Sequence, residues 1–351
     1  MTGTDRWQGF AQRIVEWQKV HGRNDLPWQN TTDPYRVWLS EIMLQQTQVA
    51  TVRSYFARFL ERFPNVARLA DASLDDVLAL WSGLGYYSRA RNLHQCARAI
   101  VSSHGGVFPQ TAQVLQELPG IGPSTAAAIS SLCFGESVAI LDANVKRVLT
   151  RVLGFDADLA LGASQKALWS AATGMLPTGT KAHQMMPRYT QGMMDLGASL
   201  CSVKTPKCDA CPVNSLCVAL ANGDAERYPV RSRKLKRTSQ SLWLLWVQTA
   251  AGDVYLSQRP TPGVWAGLYC LPLFDSETAL LAAVPADVRA AVQWQPMFTH
   301  VLTHKDLYLH PCRLVVPDSL QNWGDEGRWI SVSDLGDVGL PAPIRKLLTR
   351  D

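Results

Sequence analysis

The chain is expected to fold as two domains of different class, an all-α domain followed by an α+β domain. Three observations lead there. Its 351 residues exceed the length over which one hydrophobic core usually grows. Through residue 223, apolar side chains recur at helical spacing between capping residues and glycines, with almost no strand pattern. From residue 242 on, short runs rich in Val, Leu, Trp and Tyr are split by turn residues. Between them, residues 224–241 (DAERYPVRSRKLKRTSQS) hold six Lys or Arg and almost no large apolar side chain, which reads as a basic linker. The expected boundaries are therefore 1–223, 224–241 and 242–351.

Each helix has its own start and stop signals. Asp33-Pro34 supplies an N-cap and a first-turn proline ahead of YRVWLSEIMLQQTQVATVRSYFARFL, a helix-compatible stretch broken near Gln45–Gln48. SLDDVLALWSGLG is capped at its serine and ends at Gly83 and Gly85. RARNLHQCARAIVSSHGG stops at Gly105-Gly106, TAAAISSLCFG follows a Gly-Pro start, and ANVKRVLTRVLG ends on Gly154. Beyond the linker, WLLWVQT, VYLSQRP, GLYCLPLF and LYLHPCRLVV read as strands, with a turn at Ala251-Gly252-Asp253. Helical stretches are expected at 276–292 and near the C-terminus. No internal repeat is visible.

Composition narrows the class. Hydrophobic residues make up 47% of the chain, enough for packed cores, and a net charge of +5 suits an anionic partner without demanding one. The N-terminus MTGTDRWQGFAQRIVEW lacks a basic-then-apolar signal pattern, and no apolar run reaches the length of a membrane span. A soluble protein of the reducing cytoplasm, with no membrane association, is expected. Cys96, Cys133, Cys270 and Cys312 lie singly in apolar contexts and read as buried free thiols.

The remaining cysteines do not lie singly. Cys201, Cys208, Cys211 and Cys217 are spaced C-x6-C-x2-C-x5-C, and four thiolates on one short loop are what a [4Fe–4S] cluster takes. Zinc competes, although structural zinc sites usually arrive as two tight pairs and only Cys208/Cys211 forms one. Disulfides would need an oxidising compartment. The spacing resembles the loop that closes the catalytic domain of endonuclease III-like DNA glycosylases.

LPGIGPSTA (118–126) carries a second signal. Gly120 and Gly122 let the backbone turn tightly and present N–H groups, with the positive end of the following helix, to a phosphate. Alone, the string fits any tight helix–helix turn. Asp142 follows the apolar run SVAIL and heads the next helix, so at the least it is an N-cap. Helix N–H groups would keep such a carboxylate ionised, suited to stabilising a developing oxocarbenium ion. Together with the cysteine loop, these strings resemble the helix–hairpin–helix and catalytic-aspartate motif of the base-excision glycosylase superfamily. That resemblance gives Asp142 the stabilising role, with Asn144 as its polar neighbour.

Glu41 stands among Leu39, Ile42, Met43 and Leu44. Desolvation in such surroundings raises a carboxyl pKa and fits a general acid, while periodicity alone suits an exposed helical glutamate equally well. The string SEIMLQQTQV closely resembles the adenine DNA glycosylases of MutY type. In that family the glutamate protonates adenine and later serves the attacking water.

Further roles follow from the same resemblance. The lyase branch has a lysine just after the hairpin, to form a Schiff base, whereas this chain has Ser124. Many family members have tyrosine there, so Ser124 departs from part of the pattern. A base-flipping enzyme fills the gap it makes with a planar aromatic and amides. By resemblance Tyr86 and Gln46 are that wedge, Leu84 helps unstack the neighbouring step, and Tyr87 belongs to the core. Gln191 matches the position that contacts flipped adenine, and Leu26, Trp28 and Gln29 match a segment lining its pocket.

The C-terminal part resembles the Nudix-like domain appended to these enzymes. It lacks the R-E-x-x-E-E cluster that holds magnesium in a Nudix hydrolase, so it should bind without hydrolysing. Where relatives probe the oxidised base, FTHVLTH places Thr303 and His304, with Thr299 and His300 as a second register. The implied activity is monofunctional excision of adenine mispaired with 8-oxoguanine or guanine in double-stranded DNA, by a monomer. The competing readings are an endonuclease III-like glycosylase–lyase, opposed by Glu41, Ser124 and the C-terminal domain, and a non-enzymatic iron–sulfur DNA sensor, opposed by the two carboxylates.

Overall fold

The computed structural model describes residues 7–232, 236–317, 323 and 327–349. The N-terminal residues 1–6 and linker residues 233–235 lie outside the described residues. The chain divides into two compact units, neither contiguous in sequence. One comprises Met1–Ala70 and Gln95–Lys234, the other Asp71–His94 and Leu235–Asp351.

The first unit is helical. Helices α1 (Phe10–His21), α2 (Pro34–Leu44) and α3 (Val49–Arg62) open it, and the chain continues through α4 (Val66–Asp71), α5 (Leu74–Trp81) and α6 (Ser88–His104). Then come α7 (Ala112–Leu115), α8 (Pro123–Phe134), α9 (Ala143–Leu153), α10 (Gly162–Thr173), α11 (Ala182–Ser199) and α12 (Val218–Ala221). Helix α5 and the start of α6 belong to the second unit. The Asp33 side chain caps α2 by accepting from the Tyr35 N–H, with Pro34 at the first position. That helix breaks where the amide run was expected to break it: Gln46 takes a left-handed φ of 56° and α3 begins at Val49.

Between α7 and α8 the hairpin turns at Gly120, whose φ of 75° favours a residue without Cβ, and the Ile121 N–H closes the turn on the Leu118 carbonyl at 3.2 Å. The Asp142 carboxylate caps α9 by accepting from the Val145 N–H at 2.7 Å. Helix α11 crosses α9 at Gly197, where an added Cβ would stand 2.6 Å from the Asn144 Cβ. That close approach brings the N-terminus of α9 against α11, and the unit's main core forms around Ile14, Val148, Leu149, Met186, Met193 and Leu196.

The second unit is an α+β layer structure. Its strands are β1 (Thr238–Thr249), β2 (Val254–Gln258), β3 (Tyr269–Cys270), β4 (Leu273–Phe274), β5 (Gln293–Trp294), β6 (Phe298–Val301), β7 (Lys305–Val316) and β8 (Gly327–Ile330). They form one sheet with central order β3-β2-β1-β7-β5, where β4 pairs with β1, β6 with β7 and β8 with β2. Strands β1 and β7 run parallel from Thr238↔Lys305 to Thr249↔Val316, so β1 starts within the basic segment. Its first residues are short and polar, and backbone pairing makes them strand. Helix α13 (Glu277–Ala283) covers one face, around Leu245, Val247, Leu280, Cys312 and Leu314. The helix expected over 276–292 is shorter than its periodicity suggested. Val284, which precedes Pro285, is extended at ψ 128°, as the proline ring requires, and only a 3-10 turn at Arg289–Ala291 follows. Helix α14 (Ala342–Leu348) ends the described chain.

Candidate active site

Helix periodicity builds the site in the first unit. Val37 and Glu41 are one turn apart on α2 and so share a face. Val37, Trp28, Gln29, Leu132, Arg188 and Gln191 line a common cavity of about 220 Å3. Trp28 is held edge-on to Phe56, with ring centroids 5.4 Å apart. Both polar atoms of the Gln29 amide are buried without a hydrogen-bond partner. A buried, unpaired amide is unfavourable unless a ligand completes it. Leu26 is buried beside this segment and does not line the cavity.

Burial pushes the Glu41 carboxyl up to about 7, the Asp142 charge adds to the rise, and the Arg23 guanidinium opposes it. Near neutrality Glu41 is therefore divided between its protonated and ionised forms. For Asp142, burial also raises the pKa, more than the Val145 and Asn144 N–H groups and Arg147 pull it down. The sequence suggested that the cap alone would set this group. The net effect of burial does not show in the local string. The Asn144 amide donates to the second Asp142 oxygen at 3.4 Å, and Arg147 ties Asn144 Oδ1 to the carbonyls of Gly197 and Cys201.

Ser124 sits in the first turn of α8 with its hydroxyl buried and unpartnered, and the neighbouring Thr125 hydroxyl is 3.5 Å from the Gln45 amide. No amine occupies position 124. Gln46 is exposed in the first unit.

In the second unit Tyr86 is exposed, with a left-handed φ of 49°, and its hydroxyl lies 2.5 Å from that of Thr303. Thr303 and His304 form the β6–β7 turn and share a cavity of about 510 Å3 with Tyr86, Trp265 and His300. Leu84 is buried at 6% exposure, so its side chain is not presented to solvent. The Tyr87 hydroxyl donates to the Leu340 carbonyl, but the residue is half-buried and lines the same cavity, so it is not a core side chain as expected.

The four loop cysteines lie on the wall of a single apolar cavity with Arg151. That guanidinium, 2% exposed, donates to the Cys201 sulfur at 3.3 Å and to the carbonyls of Ser202, Val203 and Ala225. Burial pushes the Cys211 thiol up to about 12, so a metal group would have to displace its proton. Among the described residues, no group of three or more His, Cys, Asp or Glu side chains is arranged to hold a metal ion as it stands.

Known proteins share this arrangement. Residues 39–171 match the HhH-GPD superfamily base excision DNA repair protein, and residues 242–350 match a NUDIX domain. An adenine DNA glycosylase of Buchnera aphidicola subsp. Acyrthosiphon pisum (strain APS) is 35% identical over 343 residues, spanning 97% of this chain and 96% of the relative. The chain belongs to the adenine DNA glycosylase family. Human adenine DNA glycosylase is 40% identical over 316 residues, covering 75% of this chain and 57% of its own. Among solved structures, a thermostable thymine-DNA glycosylase is 28% identical with a TM-score of 0.55, over 63% of this chain and 100% of that one. A non-covalent endonuclease III–DNA complex shares the fold at 19% identity and a TM-score of 0.52, over 64% of this chain and 99% of that one.

Several residues of this adenine DNA glycosylase family member were not singled out from sequence. Arg23, Arg147, Arg151 and Asp195 are charged groups drawn inward by packing. A charge is read from sequence as surface unless something pairs it, and their partners lie far along the chain. Trp265, buried with a left-handed φ of 60°, is another. The glycines flanking it in GVWAGLYCLP were the only available signal. Among the described residues no helix is long and apolar enough to cross a membrane.

Proposed function

We propose that the protein hydrolyses the N-glycosidic bond of adenine mispaired with 8-oxoguanine or guanine in double-stranded DNA, as a monofunctional, monomeric, cytoplasmic enzyme of base excision repair. The observation that carries this reading is the Glu41 carboxyl, raised to about 7 one helical turn from a cavity with an unsatisfied amide. Adenine rotates out of the stack into the cavity between Trp28, Gln29 and Gln191, beside Leu26. Glutamine suits adenine because its amide pairs with both the N6 amino group and N7.

Glu41 transfers its proton to the adenine ring. The C1′–N9 bond breaks and its electron pair leaves with the base. The deoxyribose becomes an oxocarbenium ion, which the Asp142 carboxylate stabilises with Asn144 beside it. Glu41, now ionised, takes a proton from water as the oxygen attacks C1′. The products are free adenine and an abasic strand. Ser124 has no amine for a Schiff base, so the strand stays intact.

The Gly120–Gly122 hairpin backbone and Gln46 in the first unit, and Tyr86 in the second, each contact the duplex. Thr303 and His304 read the 8-oxoguanine. Their place on an exposed turn, with Thr303 against the Tyr86 hydroxyl, favours them over Thr299 and His300, which are held in β6. Cys201, Cys208, Cys211 and Cys217 hold a [4Fe–4S] cluster, which when bound would fold the loop presenting Lys204 and Lys207 to phosphates. The shared cavity and the Arg151 N–H to the Cys201 sulfur support that ligand set.

The test is excision from a duplex containing adenine opposite 8-oxoguanine, with and without alkali. Strand breakage only after alkali supports the reading; no adenine release, or breakage without alkali, contradicts it.

A further inference from the structure

Asp195 lies on α11 one turn after Gln191 and is fully buried. Its carboxylate accepts from the Gln191 amide nitrogen at 3.0 Å, from the Arg23 guanidinium at 2.7 Å and from the Arg23 main-chain N–H at 3.1 Å. Gln191 lines the cavity, whereas Asp195 does not. A carboxylate paired with arginine has only acceptor lone pairs, so it can face the NH2 end of a carboxamide and never the carbonyl end. The two ends of that amide diverge. Asp195 takes one of the two hydrogens of the Gln191 amide nitrogen, which fixes the amide's orientation and leaves its carbonyl oxygen, with the second N–H beside it, available to a base.

From this geometry we propose that Asp195 is a specificity-determining positioning residue: it holds Gln191 as an acceptor and so makes the cavity select a base with an exocyclic amino group. The proposal rests on the reading of the cavity as the adenine pocket. Gln29 cannot supply the selection by itself. With both amide atoms unpartnered, it can turn either end toward a base. Adenine presents an amino group at C6, and hypoxanthine presents a carbonyl there on an otherwise closely similar ring. A locked acceptor attracts the first and repels the second, the kind of mismatch that leaves buried polar groups unpaired.

The experiment measures single-turnover excision of adenine and of hypoxanthine, each opposite 8-oxoguanine, by wild type, Asp195→Asn and Gln191→Leu. An asparagine at 195 can present a carbonyl or an amide nitrogen, so the Gln191 amide is freed to flip. The wild type should prefer adenine strongly, and both variants should lose about tenfold or more of that preference, the scale of one misdirected buried hydrogen bond. Any change at Glu41 through Arg23 affects both bases alike and cancels in the ratio. If Asp195→Asn fails to fold, Gln191→Leu decides, because it leaves the Arg23–Asp195 pair intact. A folded variant with the wild-type ratio, or a wild type indifferent between the two bases, overturns the proposal. A wild type that releases no adenine at all overturns the pocket assignment instead.

Discussion

The Asp142 carboxylate bears on Glu41 closely enough that its charge, added to burial, lifts the Glu41 carboxyl to about 7, while Arg23 pulls the other way. Two acids on different helices thereby acquire different duties. In the proposed mechanism one keeps a proton to transfer, and the other, which accepts from a helix N–H, faces the developing positive charge.

This arrangement predicts the pH dependence. In the proposed mechanism the transferring form of Glu41 is the protonated one, so single-turnover excision should fall as pH rises through about 7. Replacing Arg23 by glutamine removes the opposing positive charge, which raises the Glu41 pKa and moves the alkaline limb to higher pH. A pH–rate profile checks both. A limb that shifts downward in Arg23→Gln contradicts the electrostatic assignment.

Position 124 predicts the product. With a buried serine hydroxyl there and no amine, borohydride should trap no enzyme–DNA adduct, and the nicked product should appear only after hot alkali. Efficient trapping that disappears on replacing a lysine near the cavity would reverse that expectation.

The cysteine cavity predicts a metal content. Protein purified without oxygen should be yellow-brown and contain iron and sulfide but no stoichiometric zinc. Removing the iron should weaken binding to every duplex alike. So should neutralising the exposed Lys204 and Lys207, with the log–log salt slope falling by about 2 for two lost phosphate contacts. Stoichiometric zinc with no iron would refute the cluster.

In the second unit, the Tyr86–Thr303 hydroxyl pair predicts lesion reading. Replacing Thr303 and His304 with alanine should reduce affinity for adenine opposite 8-oxoguanine by about 1–3 kcal/mol, the scale of a specific base contact. Binding to adenine opposite guanine should change much less. Equal losses on both duplexes would mean that the turn supports folding or general DNA contact.

Legibility from sequence followed the range of the interactions. The α2–α3 break at Gln45–Gln48 and the Asp142 cap are set by neighbouring residues, and local strings announce them. The parallel β1–β7 pairing joins residues far apart in sequence, and polar Thr238–Ser241 carried no apolar signal for it. The same distance hid Asp195 with Arg23 and Arg147 with the Cys201 carbonyl. Leu84, to which the resemblance gives a part in unstacking, is turned inward by packing that its local string does not show. Net desolvation at Asp142 outweighs its helix cap, and no local pattern measures it.

The central claim is that Glu41 transfers the proton that releases adenine, and single-turnover excision by Glu41→Gln tests it most directly. The substitution preserves shape and removes the transferable proton. The rate should fall by about 10²–10⁴-fold, the usual worth of general acid–base catalysis, while affinity for the mispaired duplex stays near that of the wild type. Excision by Glu41→Gln at close to the wild-type rate would contradict the account.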